Sequence, residues 1–211
     1  MTDEIVFYTN PMSRGQIVRW MLEEVGQPYR TEILEYATSL KSPEYLAINP
    51  MGKVPAIVHR GQVVTECAAI CAYLADAFPQ AGLAPATDSP ERAAYYRWLF
   101  FAAGPVESAV TNKSAGFEAG AEKSRMMGYG TFDATMDVLE AAVNTGGWVT
   151  GGAFSAADVY VGSQVDWGLM FGSMPKRPGF EAYAKKLQIR PAYQRAKAID
   201  GKLIAEMQAK G

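Results

Sequence analysis

The sequence predicts a mixed α/β domain followed by an all-helical one. Before Pro79, short β-branched or aromatic runs alternate with helical periodicity, whereas beyond Pro90 only helical periodicity remains. Pro79, Pro85, Pro90 and Gly82 fall in a stretch with no period of its own, as a linker should. The expected divisions are 1–79 for the first domain, 80–90 for the linker and 91–211 for the helical domain.

Ile5 to Thr9 reads as a buried strand ended by Asn10-Pro11. Ile17, Val18, Met21, Leu22 and Val25 then recur at helical spacing, and Gly26-Gln27-Pro28 stops that helix. Tyr29 to Leu34 is a second strand. Ser42 can cap a short helix with Pro43 in its first turn. Val54 to His59 and Gln62 to Thr65 form a hairpin about Arg60-Gly61, and Glu66 to Phe78 a helix halted by Pro79. The order βαβ then ββα is thioredoxin-like. In the second half, Ser89-Pro90-Glu91 opens a helix running towards Gly104-Pro105, which should end it. Met126 to Val143 is amphipathic. Ser155 and Asp158 have capping-box spacing, with Phe154 placed as a staple, and Phe180 to Leu187 and Pro191 to Met207 complete the helices.

Composition narrows the function. With 211 residues, 49% hydrophobic and 20% charged, the chain can bury a core and is not disordered. The net charge is −2 and Lys and Arg are interspersed with acids, which argues against a nucleic-acid partner. Cys67 and Cys71, four apart on one helix face, suit a reducing cytoplasm better than a disulfide framework. Met1-Thr2-Asp3-Glu4 lacks the charged-then-apolar order of a leader, and no apolar run approaches the ~20 residues of a membrane span. A soluble cytoplasmic protein without metal or membrane partner is expected.

Two segments stand out chemically. Phe7-Tyr8-Thr9-Asn10-Pro11-Met12-Ser13-Arg14 places hydroxyls between a strand and a helix N-terminus, and Asn49-Pro50-Met51-Gly52-Lys53-Val54-Pro55-Ala56 leads to Glu66-Cys67 at another helix start. Free N–H groups and partial positive charge at helix N-termini favour thiolates and carboxylates. With Glu66-Cys67-Ala68-Ala69-Ile70 and Ser155-Ala156-Ala157-Asp158, these segments make the chain resemble the cytosolic glutathione transferases over nearly its whole length, the serine-type theta- or phi-like classes most closely.

The resemblance implies an N-terminal thioredoxin-like domain that binds glutathione, a helical-bundle domain with an apolar pocket, a homodimer, and conjugation of glutathione to a small hydrophobic electrophile. It implies a cis bond before Pro55, with the Val54 backbone pairing to the cysteinyl unit of the tripeptide. Glu66 would attract its ammonium, the helix start with Cys67 its γ-glutamyl carboxylate, and Lys41 or Lys53 its glycyl carboxylate. Cys67 departs from the usual serine and is a weaker donor. Ser13 is the expected catalytic hydroxyl, with Tyr8 the rival and Asn10 a further N–H donor to sulfur. Each has a plainer reading: Ser13 as a helix cap, Tyr8 as a strand aromatic, Glu66 as a first-turn acid, Pro55 as a turn proline. His59, the sole histidine, lies in the hairpin and offers no triad with Ser13. Other readings are a peroxidase, isomerase or dehalogenase that uses glutathione, and a non-catalytic binding or regulatory protein on the same fold.

Overall fold

In the computed structural model, which describes residues 3–117 and 119–209, β1 (Ile5–Thr9) is the centre of a four-stranded sheet. It pairs in parallel with β2 (Tyr29–Ile33) and antiparallel with β3 (Ala56–His59), whose other edge carries β4 (Gln62–Thr65), giving the order β2-β1-β3-β4. Register runs Ile5 to Tyr29 and Ile5 to His59, so Phe7 and Ile57, both fully buried, lie opposite each other. Helix α1 (Gly15–Val25) crosses from β1 to β2, the right connection length for a parallel pair. The hairpin turns on Arg60 at φ 52° and Gly61 at φ 74°, the left-handed pair a two-residue loop demands.

Between β2 and β3 lies the short helix α2 (Pro43–Leu46), capped by Ser42, whose Oγ accepts from the Tyr45 N–H at 3.3 Å. After β4 comes α3 (Cys67–Ala77). Its buried face, Ile70, Cys71 and Leu74, packs into the core of this unit, and Phe78 stacks beside His59 at 5.3 Å. Phe78 and Leu83 are both buried.

By contacts the chain forms two compact units, residues 3–83 with 190–209, and Ala84–Ile189. The second begins with α4 (Glu91–Phe101). Gly104-Pro105 does not end the helix there: Ala102–Val106 widens into a π turn and the chain continues as α5 (Glu107–Ser114). A proline cannot supply the N–H of an ordinary turn, and the wider turn accommodates that loss without breaking the axis. A short helix α6 (Ala121–Ser124) precedes the stretch expected to be helical from Met126, and within that stretch the helix begins only at α7 (Phe132–Val143), which Thr131 caps. Helix α8 (Ala156–Met170) starts at the capping box, and Asp158 there also accepts from Val149 N–H and Tyr183 OH. Phe154 packs on Trp148, at 5.0 Å, a residue that precedes the helix rather than one in its first turns. Helix α9 (Pro178–Gln188) closes the unit.

Helix α10 (Pro191–Gln208) lies against α1, within the first unit, whereas the division at 91–211 put it with the helical domain. The reason is one face of α1. Gln16, Arg19, Trp20, Glu23 and Glu24 recur at helical spacing and meet Lys197, Asp200, Tyr193, Arg195 and Arg190 in turn. Such pairing is set by residues about 170 apart in sequence, for example 166 between Arg190 and Glu24.

Candidate active site

The start of α1 is built around Ser13. Its Oγ accepts from the Gly15 N–H at 2.9 Å and donates to the Asn10 carbonyl at 2.6 Å. The hydroxyl therefore satisfies one of the free donors that open the helix, as its plainer reading had it. Gly15 is required by proximity: a Cβ there would fall 1.9 Å from Thr9 Oγ1 and 3.0 Å from Ser13 Oγ. The strand end and helix start thus touch through a position with no side chain.

Asn10 is almost fully buried. Its amide N–H donates to the Leu34 carbonyl at 2.8 Å and its Oδ1 accepts from the Met12 N–H at 2.9 Å. The residue proposed as an N–H donor to sulfur thus ties the β1–α1 loop to the end of β2. Tyr8 is half-buried on β1, its ring 5.6 Å from that of Tyr45, in the cluster of Leu34, Leu40, Ala56 and Val54. Both hydroxyl candidates therefore flank the same loop, but only Ser13 stands at a helix N-terminus.

The second segment lies at the same end of the sheet as the first, because the antiparallel register sets Ala56 opposite Tyr8. The Val54–Pro55 bond is cis, and Val54 lies outside the β3 ladder with no backbone hydrogen bond among the described residues. Lys53 is exposed; its carbonyl accepts from Tyr45 OH at 2.5 Å and Asn49 Nδ2 at 2.8 Å. Burial pushes the Tyr45 phenol up to about 12, so it remains a donor. Lys41 reaches the same loop, donating to the Gly52 carbonyl at 2.9 Å and Met51 carbonyl at 3.4 Å. Gly52 takes φ 54°, which favours glycine, and a Cβ there would also lie 2.7 Å from Lys41 Nζ and displace it. The ammonium of Lys41 is thereby held on the 51–52 carbonyls, with one donor to spare.

Glu66 precedes α3 at φ 65°, ψ 119°, a conformation that costs a non-glycine residue about 1–3 kcal/mol. Such strain is kept where geometry serves a purpose. Cys67, the first residue of α3, is 8% exposed and points its Sγ at the Arg14 carbonyl, 3.7 Å away, which joins the two helix starts directly. Nothing local to either residue signals this contact, which spans 53 residues. Cys71 is fully buried, and burial pushes its thiol well above its usual range. His59 takes a different partner from any serine: its Nδ1 lies 2.9 Å from Tyr73 OH.

Two helix N-termini, a serine hydroxyl, a half-buried residue with free backbone groups just before β3, and an ammonium thus lie on one unit. Their chemistry suits an extended anionic ligand bearing a thiol. Among the described residues no group of His, Cys, Asp and Glu side chains could hold a metal, and no helix is long and apolar enough to cross a membrane.

Residues 12–77 match the profile of the glutathione S-transferase N-terminal domain. A glutathione transferase from Methylococcus capsulatus is 30% identical with a TM-score of 0.76, the likeness covering 93% of this chain and 98% of that one. A glutathione transferase homologue from Sulfitobacter, solved with bound glutathione, is 26% identical with a TM-score of 0.74 over 93% and 98% of the two chains. Glutathione S-transferase GST-4.5 of Xanthomonas campestris is 35% identical over 98 residues, 44% of this chain and 46% of its own, so the chain spans about half the length of this curated relative.

Proposed function

The chain belongs to the glutathione transferase family, and from that premise we propose that it holds glutathione as a thiolate at the start of α1 for attack on a hydrophobic electrophile, by addition or substitution. The observation that carries this is the Ser13 hydroxyl, which accepts from Gly15 N–H at 2.9 Å and has one proton, now given to Asn10 at 2.6 Å. Rotation about the Cβ–Oγ bond would redirect that proton to sulfur while the helix N–H still polarises the oxygen.

Magnitudes favour it. A free thiol has a pKa near ~8.5, and lowering it by two units takes about 2.7 kcal/mol. A hydrogen bond to a charged acceptor contributes about 1.5–3 kcal/mol and a helix terminus about 0.3–1 kcal/mol more. Those gains offset the neutral bond lost at Asn10, worth about 1 kcal/mol. Tyr8, on the strand, lacks the helix contribution.

The remainder of glutathione is assigned by chemistry. The Val54 backbone pairs with the cysteinyl unit, Glu66 takes the ammonium, the first N–H groups of α3 with Cys67 take the γ-glutamyl carboxylate, and Lys41 or Lys53 the glycyl carboxylate. The enzyme works as a homodimer in the cytoplasm, with residues 1–79 and 80–90 as glutathione domain and linker, the helices of 91–189 as the second domain, and α10 packed on α1 of the first. Catalysis is thiolate stabilisation and proximity, without a covalent enzyme intermediate.

The test is Ser13→Ala. Titration of bound glutathione by thiolate absorbance should show its pKa returning towards that of the free thiol, with conjugation of a panel of electrophiles falling in step. An unchanged thiol pKa would assign the role elsewhere, and binding without turnover across the panel would make this a glutathione-binding protein instead.

A further inference from the structure

Each carbonyl of the β1–α1 loop is claimed by a donor. Asn10 O accepts from Ser13 Oγ at 2.6 Å, Pro11 O from Gln16 Nε2 at 2.7 Å, Met12 O from Tyr36 OH at 3.2 Å and Ser13 O from Gln16 N at 3.2 Å. The Gln16 side chain does something the others do not. Its Oε1 accepts from Lys197 Nζ at 3.0 Å, so the loop is tied through one amide to α10, which lies 181 residues away in sequence.

The orientation of that amide is forced. A carbonyl cannot donate and an ammonium cannot accept, so with Pro11 O on one side and Lys197 on the other, only one placement of the Gln16 nitrogen and oxygen satisfies both. Lys197 is fixed in turn. It is half-buried, with its ammonium 5.4 Å from the Tyr193 ring centre and its charge acting on the buried Asp200 carboxyl, itself paired with Arg19 at 3.0 Å. A rigid chain of contacts therefore runs from the α1–α10 seam to the carbonyl two residues before Ser13.

We propose that Lys197 and Gln16 are positioning residues for thiolate stabilisation, so that the C-terminal helix is a working part of the thiol site; this rests on the role assigned to Ser13. Without the Lys197 contact the Gln16 amide turns freely, Pro11 O loses its donor, and the loop no longer holds the Ser13 oxygen at a fixed place relative to the bound sulfur. Small displacements of a group that acts at hydrogen-bond distance have large effects on rate. Glutathione contacts at Val54, Glu66 and Lys41 lie on other segments, so affinity should change little.

The experiment compares Lys197→Met, Gln16→Met, their double variant and Lys197→Arg in the full chain. Thiolate absorbance of bound glutathione against pH, glutathione affinity by calorimetry, and thermal midpoint are read for each. Lys197→Met and Gln16→Met should each lower the thiolate fraction below its midpoint pH about two- to tenfold, the scale of one lost hydrogen bond, with affinity held within about twofold. The double variant should be no worse than Gln16→Met alone, and Lys197→Arg, which can still donate to Oε1, should restore the wild-type titration. Unchanged titrations in both single variants, or effects that add in the double, would overturn the proposal. Failure to rescue by Lys197→Arg at wild-type thermal midpoint would do the same. Ser13→Ala in parallel separates the two claims: a normal titration there with altered ones in Lys197→Met removes Ser13 and keeps the positioning chain, and the reverse removes the chain alone.

Discussion

Arg19 of α1 and Asp200 of α10 meet at 3.0 Å with side chains only 2% and 4% exposed. The guanidinium also donates to Thr31 Oγ1 at 3.0 Å and Tyr29 OH at 3.2 Å and lies 5.1 Å from the Phe7 ring centre, so one side chain joins the last helix to the sheet. Its second terminal nitrogen has no partner among the described residues. Removing the carboxylate would leave a buried cation uncompensated. Asp200→Ala should cost about 3–5 kcal/mol in urea unfolding, whereas the apolar pair Arg19→Met with Asp200→Leu should cost markedly less. Equal losses in the two variants would show that packing, not charge, is what α10 contributes.

Gly15 gives a prediction of opposite kind, since here a gain of atoms is harmful. Gly15→Ala sets a methyl 1.9 Å from Thr9 Oγ1, and Thr9 is fully buried. Overpacking of this sort costs about 1–3 kcal/mol. Adding Thr9→Ala removes the clashing oxygen, so the double variant should recover part of the stability that Gly15→Ala loses. Strict additivity of the two losses in chemical denaturation would contradict the contact.

For Glu66 the expected effect is on binding. Under the proposed glutathione assignment, Glu66→Gln keeps the side-chain shape at the strained position while removing the charge that meets the ligand ammonium. Glutathione affinity should fall about tenfold, the scale of one charge-assisted bond, with kcat changed little. A glutathione analogue lacking that ammonium should bind wild type and Glu66→Gln equally. If the analogue still distinguishes the two proteins, Glu66 acts through the α3 terminus and not through the ammonium.

The parts of this protein legible in its sequence are those settled over a few residues. Ser42 with Pro43, the Arg60-Gly61 turn, and Ser155 with Asp158 declare themselves because cap and turn partners are two to four positions apart. The cis bond before Pro55 followed from resemblance, not from spacing. What the sequence hid depends on distant partners. Arg19 interrupts an apolar run, Ile17-Val18-Arg19-Trp20-Met21-Leu22, and Asp200 lies in the mixed stretch Lys197-Ala198-Ile199-Asp200-Gly201-Lys202, but nothing local shows that they meet. The same holds for Cys67 on the Arg14 carbonyl and for Lys197 on Gln16. Gly104-Pro105 misled because the breaking power of proline was judged against an ordinary turn, and a π turn evades it.

Asp158 gives the helical unit one pH-dependent contribution to its stability. It accepts from Ser155 N–H, Ser155 OH, Val149 N–H and Tyr183 OH, and pairs with no cation among the described residues. Burial outweighs these neutral donors and holds its carboxyl above the usual 3.8. The native state therefore keeps this proton more tightly than the unfolded chain does. Its contribution to stability is full below about 3.8 and is lost as pH rises through the higher native value. Asp158→Asn breaks the capping box and should cost about 1–3 kcal/mol near neutrality. It also abolishes the titration, so the stability gap between wild type and Asp158→Asn should widen as pH is lowered from 7 towards 4, opposite to the trend of a salt-bridged carboxylate. Urea midpoints at several pH values measure this directly; a gap that narrows on acidification would mean that the four donors, and not burial, govern the group.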